Sequence, residues 1–128
     1  MPAEIAVAAS EPSPAAVLSK ASLRAADLLG ITNGELATIL GVSASTVSRM
    51  KEGRYELKRG KKEFELAQLF VRMFRGLDAI TGSFDESSAS WVRSENRALA
   101  GDTPLSRMKT VRGLVEVVDY VDASRALT

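Results

Sequence analysis

The stretch TNGELATILGVSASTVSRMKEGR, Thr32 to Arg54, decides the fold. Thr32 and Glu35 have the S/T-x-x-E spacing of a capping box, in which the hydroxyl accepts from a first-turn amide and the carboxylate reaches back to the cap. Leu36, Ile39 and Leu40 then recur at helical spacing and give this helix one apolar face. Gly41 ends it, because the residue after a helix often turns left-handed and glycine does so without steric cost. Ser43 caps a second helix. In it Val47 and Met50 face inward, while Ala44, Ser45, Thr46, Ser48 and Arg49 lie on the other sides. Gly53 closes it. Two short helices across a glycine turn predict a helix-turn-helix, although an ordinary helical hairpin needs the same caps and spacing.

Three positions sharpen the reading. Ala37 is small where two helices approach, Gly41 follows four residues later in the turn, and Val47 is the buried aliphatic six residues beyond. That spacing, inside LATILGVSASTVSR, resembles the DNA-binding helix-turn-helix of the Cro/Xre repressor class. The resemblance implies that Ser43, Ala44, Ser45, Thr46, Ser48 and Arg49 meet DNA, and short hydroxyls with one arginine suit reading of the major groove. Charge supports it. From Arg49 to Lys62 seven basic residues stand against Glu52 and Glu56, an excess of five. Lys58 and Lys61 in this cluster are the expected phosphate contacts, whose strength comes from releasing condensed counterions. A solvated loop is the plainer alternative for such a run.

Composition bounds the rest. At 128 residues the chain is one typical domain, or two very small ones sharing a core. Without cysteine there is neither a disulfide framework nor a thiolate zinc site, and a cytoplasmic location is expected. Without histidine the commonest general base and metal ligand is gone. Asp102 and Glu95 flank a loop, but paired carboxylates in a polar turn are ordinarily just solvated. No enzyme, cofactor or metal is therefore expected. A formal net charge of +1 excludes a polybasic nucleic-acid coat. Met1 to Pro14, alanine-rich with three prolines and no basic residue, lacks the layout of a secretory signal and reads as a flexible tail. No window approaches the length of a membrane span.

The remaining helices follow from spacing. The first should run from Pro14 or Ala15 to Leu29, with Val17, Leu18, Ala21, Leu28 and Leu29 apolar. Lys61 to Ile80 is the most apolar helix, its end bracketed by Gly76 and Gly82. Its polar residues Glu65, Gln68, Arg72 and Arg75 form one narrow stripe. Such girth predicts a central position and a homodimer, with Phe70 and Phe74 at outward positions. Ser83 caps a short helix carrying Trp91 and Val92, a loop runs through Asn96 and Gly101, and Thr103-Pro104 starts another turn. After Thr110 a last helix reaches about Ala126. Val111, Leu114, Val115, Val118 and Val121 share its core face, and Glu116, Asp119 and Asp122 form an acidic line. Val117 and Tyr120 lie off the core as an apolar surplus. The chain reads as all-α: residues 1–14 a tail, 15–82 a helix-turn-helix DNA-binding and dimerisation domain, and 83–128 a small helical domain.

The segment from Trp91 to Asp119 carries a second pattern: Trp91, Asn96, Leu99, Gly101, Thr103, Pro104, Leu105, Gly113 and Val117 in order. It resembles the toxin-binding domain of the Xre/MbcA/ParS antitoxin family, whose Xre members carry a helix-turn-helix upstream. Each matched residue also has a plain structural role: ring burial for Trp91, loop closure for Asn96, a left-handed turn for Gly101. Gly113 inside a helix costs about 1 kcal/mol relative to alanine and asks for a close backbone approach. The resemblance implies an antitoxin that covers the active site of a cognate RES-domain, NAD-consuming toxin and binds its own operator DNA. Residues exposed around the pattern are then the expected toxin contacts: Arg97, Asp102, Arg107, Lys109, Arg112, Tyr120 and Arg125. Many members continue past the last helix with a glycine-containing tail, whereas this sequence stops at Thr128. The alternative is a helix-turn-helix transcriptional repressor whose C-terminal domain only dimerises.

Overall fold

A computed structural model describes residues 11–81 and 86–127. Its described residues form helices and turns only: α1 (Pro14–Leu28), α2 (Asn33–Leu40), α3 (Ala44–Lys51), α4 (Lys62–Thr81), α5 (Glu86–Arg93), a 3-10 turn (Arg97–Leu99), α6 (Pro104–Met108) and α7 (Val111–Ala126). The expected caps are in place. Thr32 and Glu35 close the capping box of α2, Gly41 turns left-handed at φ 72°, and the Ser43 hydroxyl accepts from the Thr46 amide to start α3. The expected tail falls mostly outside the described residues, as do Gly82 and the Ser83 cap.

Helix α4 is the axis of the fold, and α1, α2 and α7 pack around it. Phe70 is fully buried and Phe74 nearly so, so neither points outward. The apolar girth of α4 is consumed within one chain: burying a side chain such as Phe70 contributes about 1.5–3 kcal/mol without any second copy. Gly76 sits inside α4, where a Cβ would lie 2.6 Å from Val121 Cγ1, so it lets α7 approach closely.

The last helix is rotated from the expected orientation. Leu114, Val117, Val118 and Val121 are its buried side chains, beside the buried Gly113, whereas Val111 and Val115 are exposed. Val117 is therefore core. On α1, Val17 is 49% exposed. Two buried serines on that helix bond backward to its own carbonyls, and Ser19 does more: its hydroxyl accepts from the Leu57 amide at 2.9 Å. This bond fastens the basic loop after α3 to α1, across 38 residues of sequence.

Candidate functional site

The first region is the outer side of α3 with the loop that follows. Ser43, Ala44, Ser45, Ser48 and Arg49 are exposed, as are Lys58 and Lys61. Thr46 departs from the expectation: it is 8% exposed and its hydroxyl is spent inside the protein. That oxygen lies 2.9 Å from Ser43 Oγ and accepts from an Arg49 guanidinium nitrogen at 3.1 Å. Thr46 thus holds Arg49 rather than presenting itself. A residue not singled out by sequence, Tyr55, stands beside them. Its ring centroid is 5.8 Å from the Arg49 guanidinium carbon and 5.7 Å from Lys58 Nζ. Its hydroxyl donates to Glu63 Oε2 at 2.6 Å, and that carboxylate oxygen also accepts from the Lys58 amide at 3.0 Å. Burial, then the bond to Glu63, pushes the phenol up to about 12, so it stays a neutral donor. The only hint in the sequence was an aromatic inside a basic run.

The second region is built on α6, α7 and the loop before them. Asn96 accepts from the Ala98 amide through its side chain, and Ala100 and Gly101 are both left-handed, which folds the loop into a compact turn. Arg107 is its hub. Its guanidinium donates to Asp102 at 2.8 Å, to the Leu99 carbonyl at 2.8 Å, and to Glu116 on α7. Asp102 is exposed as expected, whereas Arg107, also expected to reach outward, is 24% exposed in its side chain and works as an internal staple. Glu116 also meets Arg112 at 3.5 Å, so Asp102, Arg107 and Arg112 join in one cluster. Gly113 has the close approach its cost demanded: a Cβ there would lie 1.9 Å from the Arg107 carbonyl oxygen.

Tyr120 is half-buried rather than surplus, stacked on Trp91 with centroids 6.2 Å apart and planes 8° apart. Arg97, Lys109 and Arg112 are exposed as expected. Arg125 belongs elsewhere. It lies about 20 Å along α7 from Arg112 at 1.5 Å per residue. There it joins Val17, Phe64, Arg72 and Arg75 around a groove of about 410 Å³ between α1, α4 and α7. Arg72 pairs with Asp122 at 2.7 Å on that side. Among the described residues no cluster of His, Cys, Asp or Glu comes together to hold a metal ion, and no helix is long and apolar enough to cross a membrane.

Comparison with known proteins bears on both regions. Residues 8–72 match the model of the antitoxin Xre-like helix-turn-helix domain, and residues 76–126 match that of the antitoxin Xre/MbcA/ParS C-terminal toxin-binding domain. The two matches meet inside α4, so one helix serves both. No curated protein matches the chain in sequence. Among solved structures, a chain of the crystal structure of the M. tuberculosis MbcT-MbcA toxin-antitoxin complex superimposes with a TM-score of 0.58 at 23% identity. The match covers 88% of this chain and 96% of that one, a likeness of fold. With both halves matched in order, the chain belongs to the Xre/MbcA/ParS antitoxin family: it is an antitoxin with an Xre-like helix-turn-helix and a toxin-binding C-terminal domain.

Proposed function

We propose that this antitoxin neutralises a RES-type, NAD-consuming toxin by covering its active site with the C-terminal half, and represses its own operon through α3. The observation that carries the first part is the Asn96–Gly101 loop stapled to α7 through Arg107. That rigid frame keeps the exposed Arg97, Lys109 and Arg112 on short, well-supported elements. Arginines in such frames anchor interfaces because they bring area and directional hydrogen bonds together. The second part is supported by the exposed hydroxyls and Arg49 on α3, backed by the basic loop. A homodimer fits a two-fold operator with two copies of α3. The girth of α4 no longer argues for it, because α1, α2 and α7 cover that helix.

The partner's chemistry is tested by co-expressing the chain with the product of the neighbouring reading frame and measuring NAD. The toxin alone should deplete NAD, and the purified complex should leave it intact. Binding without any effect on NAD would keep the antitoxin and discard the RES reading.

A further inference from the structure

Tyr55 is not among the residues that the sequence patterns single out, yet it sits where α3, the basic loop and the first turn of α4 meet. Arg49 comes from α3, Lys58 from the loop, and Glu63 from α4, and all three engage this one side chain. The body of the residue packs against the core, so the ring is fixed rather than a passive surface group. Arg49 is then held at two points: the Tyr55 ring and the Thr46 hydroxyl, itself within hydrogen-bond distance of Ser43.

We propose that Tyr55 is a positioning residue for DNA recognition, whose ring aims Arg49 and Lys58 before DNA arrives and so sets how sharply the operator is discriminated. This rests on the reading of α3 as the DNA-binding helix. Binding must immobilise flexible side chains, and each one frozen on contact subtracts from affinity. A guanidinium already docked between a ring and a hydroxyl has little freedom left to lose. It is also poorly placed to swing toward a mismatched base, so the mismatch loses its bidentate bonds. Glu63 ties the same ring to the Lys58 backbone, which fixes the phosphate-contacting side chain relative to the base-reading one.

The test uses the full chain, a duplex from upstream of its own coding sequence, and a scrambled duplex. Tyr55→Leu, which keeps apolar packing but removes the ring, should lose about tenfold on the upstream duplex. On the scrambled duplex it should change by about threefold at most, because only backbone contacts remain there. Tyr55→Phe keeps the ring and should stay close to wild type. In an Arg49→Ala background Tyr55→Leu should cost no further discrimination, since its effect passes through Arg49. A folded Tyr55→Leu protein with the wild-type ratio of affinities, or losses that add fully to those of Arg49→Ala, would overturn the proposal. If Tyr55→Leu fails to fold, Tyr55→Met replaces it, again apolar and without a ring: a lowered ratio supports the role and an unchanged one overturns it. Wild type without preference for the upstream duplex would instead discard the DNA-binding reading itself, and the positioning role with it.

Discussion

Arg93, at the end of α5, donates to both carboxylate oxygens of Glu35, at 2.7 and 3.1 Å, and to the Gly30 carbonyl at 2.7 Å. Glu35 is the carboxylate of the α2 capping box, where it also accepts from the Thr32 amide at 2.9 Å. One side chain therefore closes the first helix of the helix-turn-helix and ties it to the toxin-binding half. The contact joins residues 58 apart in sequence, one on each side of the boundary between the two matched domains.

This pair makes stability depend on acid. The Arg93 bond, against the opposing effect of partial burial, holds the Glu35 carboxyl down at about 2, well below its usual range. A lowered carboxylate contributes stability that is complete above the usual range and lost as pH falls toward 2. Half-exposure of Arg93 screens the pair, which leaves on the order of 1–2 kcal/mol. Melting curves between pH 6 and 2.5 should show wild type losing more stability than Glu35→Gln. Parallel curves for the two proteins would contradict the assignment.

Arg107 is expected to matter for folding before it matters for any partner. Arg107→Ala leaves Asp102, Glu116 and the Leu99 carbonyl without their shared donor, and should cost about 2–3 kcal/mol, as bonds to charged groups do. Chemical denaturation measures this. A loss below about 0.5 kcal/mol, the range of ordinary surface changes, would show that the staple is not structural.

Gly113 sets two effects of opposite sign against each other. Helix propensity alone would make Gly113→Ala stabilising by about 1 kcal/mol. The Cβ would meet the Arg107 carbonyl, which is backbone and cannot move aside cheaply, so overpacking of about 1–3 kcal/mol or more should win. The substitution is predicted to lower the melting temperature, and a raised one would mean that α6 yields to α7.

Much of the fold was legible because its signals are local. The Thr32–Glu35 box, the Gly41 turn, the Ser43 cap and the Thr103-Pro104 start each need only neighbours within four residues. The orientation of α7 was misjudged because its valines allow two faces at helical spacing, Val111–Leu114–Val115–Val118 or Leu114–Val117–Val118–Val121. Gly113 held the missing signal: a helical glycine marks the close-packed side, and Val117 is one turn beyond it on that side. Phe70 and Phe74 were misplaced because apolar girth does not tell whether a partner helix comes from the same chain. Arg107 and Tyr55 were illegible for a different reason. Their roles depend on Glu116 and Glu63, partners that only the packing of separate elements brings within reach.

On the DNA side, Arg49→Ala should lose about 1–3 kcal/mol on the duplex upstream of its own coding sequence and relax sequence preference. Lys58→Ala and Lys61→Ala should weaken all sequences alike, each reducing the salt slope by about one. Binding titrations across salt concentrations separate the two behaviours. Equal affinity of Arg49→Ala and wild type for that duplex would remove Arg49 from the interface.

The central claim is that toxin neutralisation resides in the C-terminal half and is separable from DNA reading. A fragment of that half is a poor probe, because α7 packs on α4 and both would lose their cover. The direct measurement is growth of cells expressing a cognate toxin together with full-length variants. Wild type and Arg49→Ala should protect, whereas the double charge reversal Arg97→Glu with Arg112→Glu, checked for wild-type melting, should not. Protection by the double reversal together with failure of Arg49→Ala would place neutralisation in the helix-turn-helix and contradict the account.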